Sequence, residues 1–264
     1  MRLRIGPLRV LNHSILKRGE PLARCPTVFI GLHWRPRDIE MNSLKDDLRL
    51  RQVLDRLHAR SEAQIPALTA HFQEHGGASV GGTAREIANG RLFWQDKLVA
   101  LDRIKAEFCY MTCRAIGATR AVEAGTSFGV STLYLAAAIR DNGGGTVVAT
   151  EYEPQKAKAA RAHWQDAGLS ALIELREGDL RDSLKTLKGP IDFLLMDIWT
   201  PMARPALERV APHMRSGAVI IADNTTMFRS AYGDYFDYLT DPKNGFSTMT
   251  LPFEGGLEFS VKNG

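Results

Sequence analysis

The sequence predicts an α/β protein: a doubly wound, mostly parallel seven-stranded sheet with a C-terminal antiparallel hairpin and helices at its N-terminal end. Three observations predict it. From Gly117 onward, short apolar runs alternate with helical stretches, the pattern of strands buried between covering helices. Each of the five runs has an acid at its carboxyl end or within a few residues after it. The last two runs, Gly245–Leu251 and Gly256–Val261, have no helix between them and are joined by Pro252-Phe253-Glu254-Gly255, a hairpin signature.

The elements follow in order. From Asn42 to about His75 the pattern is helical, with Asn42 or Ser43 as cap and Leu44, Leu48, Leu54 and Leu57 as its stripe. Pro66 separates or kinks two helices there. Gly76-Gly77 and Gly81-Gly82 mark a break. A second helical region spans about Thr83 to Ile116, with Leu98, Leu101, Ile104, Phe108 and Met111 as its apolar face. Strands are expected at Ala121–Ala124, Thr146–Thr150, Ala171–Leu175, Ile191–Met196 and Ala218–Ala222. Helices are expected between and after them, near 130–140, 154–167, 180–187 and 201–214. Such a sheet binds its ligand in the crevice at the strands' carboxyl ends.

The chain has 264 residues, 44% of them apolar and 24% charged, which excludes disorder as the dominant state, low-complexity classes and a membrane channel. The net charge of +4 hints at an acidic partner, but its location removes the hint. Residues 1–40 hold eight basic and three acidic residues, so the remainder carries 26 basic against 27 acidic groups. The organisation read from this is a basic, poorly ordered extension (1–40), an N-terminal helical cap (41–116) and a cofactor-binding domain (117–264). Translation starting at Met41 would make the extension an artefact; a targeting or interaction arm is the alternative, and intact-mass measurement separates them. No nucleic-acid or membrane partner is expected of the body, and no apolar run reaches the ~18 residues of a transmembrane helix. Three cysteines, Cys25, Cys109 and Cys113, are too few for a disulfide framework, so a reducing, cytoplasmic location is expected. Cys109 and Cys113, four apart, read as small buried hydrophobes on one helix face.

The most informative stretch runs from Val122 to Ala136: a strand ending in an acid, a turn with Gly125 and Gly129, then a helix. The glycines permit positive φ and close approach of a ligand to the backbone. The spacing is Glu-x-Gly-x-x-x-Gly, unlike the Gly-x-Gly-x-x-Gly of dinucleotide binders, and the Glu123 carboxylate suits a cationic amino-acid group better than a pyrophosphate. Glu151 ends the second strand, where it can accept both hydroxyls of a ribose; Asp179 follows the third, where it can receive an adenine amine. Asp197 and the Asp223-Asn224 pair follow the fourth and fifth. One acid at a strand end is often a helix cap; five in succession are not accounted for by capping.

On Lys105-Ala-Glu-Phe108 with Gly117, Val122 to Ser131, Thr150-Glu-Tyr-Glu-Pro154, Met196-Asp-Ile-Trp199 and Ala222-Asp-Asn224, residues 97–262 resemble a class I S-adenosylmethionine-dependent methyltransferase of the catechol O-methyltransferase-like small-molecule family. The resemblance implies a Rossmann-like methyltransferase fold and transfer of a methyl group to a small aromatic hydroxyl acceptor. It assigns the cofactor to Glu123, Gly125, Thr126, Ser127, Ser131, Glu151, Asp179 and Asp197. It also implies a divalent cation, usually Mg²⁺, held by Asp197, Asp223 and Asn224, with Asp197 catalytic, and a homodimer as a possible assembly. Hard oxygen ligands with open positions suit Mg²⁺. Where the catechol enzymes carry a general-base Lys, this chain has Thr200, whose hydroxyl cannot serve as a base near pH 7.

Two motifs read as decoys: His71-x-x-Glu-His75, a zinc-peptidase pattern without a third ligand, and Tyr152-x-x-x-Lys156, a dehydrogenase pair placed where a ribose belongs. No [Asn/Asp]-Pro-Pro-[Tyr/Phe] follows the fourth strand, which argues against an amino-directed methyltransferase. Trp199, Phe228, Tyr232 and Phe236 read equally well as an acceptor pocket or as packing. The alternatives are an NAD-dependent oxidoreductase on the same architecture and a catalytically degenerate cofactor-binding protein.

Overall fold

The structure, a computed structural model, describes residues 44, 46–75 and 92–264. The basic extension with Cys25, the Asn42/Ser43 cap, the two glycine pairs and the 83–91 part of the second helical region lie outside the described residues.

Seven strands form one sheet in the order β3-β2-β1-β4-β5-β7-β6. They are β1 (Arg120–Ala124), β2 (Thr146–Glu151), β3 (Ile173–Glu177), β4 (Ile191–Met196), β5 (Met214–Asp223), β6 (Phe246–Leu251) and β7 (Leu257–Lys262). The first five are parallel; β7 runs antiparallel to both β5 and β6. The chain reverses its direction of winding between β1 and β4, which opens the ligand crevice at their carboxyl ends.

Alternation of side chains builds two cores. Ala121, Val147, Ala149, Phe193, Leu195, Val219 and Ile221 point to one face, and Val122, Ala124, Val148, Leu194, Met196, Ile220 and Ala222 to the other. The first face is covered by α1 (Leu48–Glu62), α3 (Arg103–Ala115), α4 (Val130–Asp141) and α5 (Pro154–Ala167). The second is covered by α6 (Leu180–Ser183), α7 (Thr200–Val210) and α8 (Gly233–Thr240). The four central strands β1, β2, β4 and β5 are buried over most of their length because helices lie on both sides. β3 is instead a half-buried edge, with Glu174 and Glu177 exposed, contrary to the buried strand expected there. It starts two residues later than its apolar run because Ser170–Leu172 turn as a 3₁₀ helix.

The helices differ from expectation where capping outweighed periodicity. Asp47 caps α1 by accepting from the Leu50 N–H at 3.0 Å, and the buried stripe is Leu50, Val53, Leu54 and Leu57, leaving Leu48 exposed. Pro66 stands in the first turn of α2 (Ile65–His75), so it starts a helix after the Ala63-Gln64 break. Leu98 and Leu101 are buried, but their segment is not helical; α3 begins only at Arg103, capped by Asp102. Its buried face is Lys105, Ala106, Cys109, Tyr110 and Cys113, and Met111 is exposed. The helix expected at 180–187 closes after Ser183, and α8 was not foreseen.

Candidate active site

The sheet's register fixes the site. Ala124 pairs with Thr150 on one side and Met196 on the other, and Met196 pairs with Ala222. Glu123, Glu151, Asp197 and Asp223 therefore gather at one carboxyl edge.

On the β1–β2 side the turn is stitched by its own hydroxyls. Glu123 is fully buried; its carboxylate accepts from Ser131 Oγ at 2.6 Å, Thr126 Oγ1 at 2.7 Å and Thr132 Oγ1 at 2.5 Å. Burial raises its pKa against those three donors. Thr150 joins the turn to β2: its Oγ1 receives the Gly125 N–H and donates to the Glu123 carbonyl, and its carbonyl receives the Thr126 N–H. Only glycine fits at 125, where φ is +93° and a Cβ would lie 2.1 Å from the Asp197 carbonyl oxygen. Ser127 adopts φ 51° and gives its N–H to Glu151 at 2.6 Å, while the Glu153 N–H reaches the other Glu151 oxygen at 2.8 Å. Burial raises the Glu151 pKa as well. Asp179 is a rim group: it caps α6 through the Arg181 N–H and pairs with the Arg181 guanidinium, whose hydrogen bond lowers its pKa.

The β4–β5 side is built differently. No side-chain hydrogen bond from the described residues reaches the Asp197 carboxylate. Its pKa is raised first by burial and then by the Asp223 and Glu123 charges. Asp223 is raised by burial too, against the buried Lys105 ammonium, whose Nζ donates to Oδ1 at 2.5 Å. The Asn224 amide donates to the other oxygen, Oδ2, at 2.9 Å. Asn224 holds φ 57° and lies under the turn before β7, where a Cβ on Gly255 would stand 2.4 Å from its Oδ1.

All the expected residues lie along this edge except Asp179, which is displaced to the rim. Lys105 was legible as part of a motif but had no role assigned; the available signal was a lysine at i−4 from Cys109 on a face otherwise apolar. Of the four aromatics, Tyr232 and Phe236 are buried against Tyr235, and Phe228 packs on the same core. Trp199 alone is exposed, edge-on to Trp94 with centroids 5.9 Å apart. His71 stacks on Phe93 at 3.7 Å, and among the described residues no three His, Cys, Asp or Glu side chains form a metal-ligating group. Among the described residues no helix is long and apolar enough to cross a membrane.

Comparison with known proteins agrees with this geometry. Residues 122–225 match the family described as Methyltransferase domain. A catechol O-methyltransferase of Mycobacterium tuberculosis (strain ATCC 25618 / H37Rv) is 34% identical over 127 residues, 48% of this chain and 57% of that protein. The chain thus matches just over half the length of this curated relative. Among solved structures, cofactor-bound Rv0187 from MTB is 25% identical with a TM-score of 0.58, covering 75% of this chain and 98% of that one. An O-methyltransferase from Bacillus cereus in complex with SAH shares the fold at 22% identity and a TM-score of 0.58, over 74% and 97% of the two chains. In sequence and in fold, the chain is similar to class I S-adenosylmethionine-dependent O-methyltransferases.

Proposed function

We propose that this chain is an S-adenosylmethionine-dependent O-methyltransferase for a small aromatic hydroxyl acceptor, assisted by a divalent cation. One observation carries the reading: four buried or half-buried carboxylates stand side by side at the switch point of one parallel sheet, two held by hydroxyl or backbone N–H donors and two facing a single ammonium. In this reading the braced half takes the cofactor. Glu151 accepts the ribose hydroxyls with the lone pairs its two backbone donors leave open. Gly125, Thr126 and Ser127 offer backbone to the methionine part, with Ser131 beside them. Glu123 acts through the turn it organises, because three hydroxyls already occupy it. Asp179 approaches the adenine from the rim.

The donor set Asp197, Asp223 and Asn224 fits a divalent cation: it offers hard oxygens, and two carboxylates face a single ammonium. Those three residues would hold Mg²⁺, and the cation would supply Lewis-acid polarisation, lowering a phenol's pKa from near 10. The chain's own contribution is to bind and orient. Asp197 lies one peptide from the Gly125 turn in space, its N–H on the Ala124 carbonyl at 3.1 Å, which sets an acceptor oxygen beside the methyl donor for in-line transfer. Trp199 and Trp94 flank the acceptor with apolar ring surface. Thr200, buried with no partner on its hydroxyl, takes no proton. A small-molecule acceptor, no nucleic acid and no membrane complete the proposal, together with the three-part division at residues 40 and 116.

Titration with S-adenosylhomocysteine and with NAD tests the cofactor; tight NAD binding without the homocysteine compound would point to an oxidoreductase. Methyl transfer to a catechol and hydroxycinnamate panel, with and without EDTA, tests acceptor and metal. Turnover that EDTA abolishes is expected; cofactor binding with no turnover on any acceptor would favour a degenerate cofactor-binding protein.

A further inference from the structure

We infer that Lys105 is a built-in counter-cation of the Asp197–Asp223 carboxylate site, occupying it in place of a divalent cation and lowering its affinity for one. The inference rests on the divalent-cation reading above and deepens it.

Lys105 lies in the first turn of α3, where the helix dipole disfavours a positive charge, and its side chain is only 6% exposed. A buried ammonium is retained only when it is paired. Its Nζ lies 2.5 Å from Asp223 Oδ1, and its charge also acts on Asp197. One turn further along the same face Cys109 is a buried thiol, so Lys105 is the one charged side chain among the buried residues of this helix.

The consequence is geometric as well as electrostatic. Both Asp223 oxygens already receive a donor, Oδ1 from Lys105 and Oδ2 from the Asn224 amide. A divalent cation ligated by Asp223 and by Asn224 through its amide oxygen must share the Asp223 oxygens with these two donors. It must also approach within a few ångströms of a fixed ammonium, at a cost that low solvent exposure magnifies. The lysine and the metal therefore compete for one excess of negative charge. Without metal, the lysine keeps two adjacent carboxylates from facing each other uncompensated.

The opposite role is equally concrete: a lysine that holds Asp223 in position from behind would strengthen metal binding. Mn²⁺ binding to the full chain, read by electron paramagnetic resonance of the unbound ion, separates the two. Lys105→Met keeps the stem and removes the charge, and should bind Mn²⁺ at least ~30-fold more tightly than wild type, with S-adenosylhomocysteine affinity unchanged as the sign of an intact fold. Lys105→Arg should stay near wild type. Equal binding by wild type and Lys105→Met, or weaker binding by the variant, overturns the inference and leaves the cation reading standing. No Mn²⁺ binding by either protein overturns both. Should Lys105→Met fail to fold, the wild-type constant decides: weaker than ~10 µM is expected, and a tighter one overturns the inference.

Discussion

The two halves of the strand-end cleft hold the same kind of residue in opposite conditions. On the β1–β2 side, Glu123 has three hydroxyl donors and Glu151 two backbone N–H donors, all from this chain. On the β4–β5 side, Asp197 takes no side-chain hydrogen bond from the described residues, Asp223 takes the Lys105 ammonium and the Asn224 amide, and the two carboxylates repel each other. The first half is finished before any ligand arrives, as a site that must hold a flexible cofactor in one conformation requires. The second stores electrostatic imbalance, which the cation of the proposed function would relieve. Carboxylates at neighbouring positions of one sheet edge thus serve as framework in one place and as unmet demand in the other, and the neighbouring donors decide which.

The contrast can be broken most directly at Glu123. Glu123→Ala strands three buried hydroxyls and should lower stability by about 3–5 kcal/mol in urea unfolding; a loss under about 1 kcal/mol would mean that the turn is not braced by this residue. Asp197→Asn should do the reverse: methyl transfer falls ~10²–10³-fold while stability holds or rises, because a repelling charge is gone. A clear drop in melting temperature in that variant would erase the contrast.

The support beneath the braced half offers a pH test. His58, buried on α1 with its ring nitrogen 3.1 Å from the Tyr134 hydroxyl of α4, has its pKa lowered by burial to about 4. The unfolded chain binds the proton more readily than the folded one. Stability is therefore complete above the unfolded value near 6.5 and is lost as pH falls toward 4, by about 2–3 kcal/mol. His58→Leu should flatten that part of the pH profile in chemical denaturation; an unchanged slope would remove the histidine as its source.

Smaller effects sharpen the division of labour. Glu151→Ala should weaken S-adenosylhomocysteine binding ~30–100-fold by calorimetry with less effect on metal affinity. Trp199→Ala should raise KM for an aromatic acceptor ~10-fold and leave cofactor affinity unchanged. An equal change in both constants would place the tryptophan on the cofactor side.

Most of the sheet was legible because the central parallel strands are short, mostly apolar runs with an acid at or just after the carboxyl end. β3 read as buried because its apolar run overlaps a 3₁₀ turn, and a single sequence does not mark a sheet edge. α1 starts at Leu48 on an Asp47 cap, a position that the reading of Asn42 or Ser43 as cap passed over. In α3, Met111 has the spacing of a core residue but lies exposed, since Leu98 and Leu101 enter the core from an extended segment. α8 was missed because Phe228, Tyr232 and Phe236, each four apart, were read as pocket lining or packing aromatics and not as the period of a helix. The five acids were found at once, but not which were braced: donors such as Thr132 and Lys105 come from helices whose rotation about their axes no motif records.

The hairpin β6–β7 gives the candidate site at the strand ends a dependence on a distant part of the chain. Hairpin turns ordinarily tolerate insertions, since they project into solvent. Here the turn that ends at Gly256 folds back over the strand end, receiving the Thr225, Thr226 and Met227 amides on the Gly255 and Gly256 carbonyls. Asn224 is thereby clasped between β5 and this turn, with no room for even one methyl group at Gly255. Peptide tags, loop grafts and circular-permutation breakpoints between residues 252 and 256 should therefore perturb the β4–β5 half first, while the β1–β2 half keeps its shape.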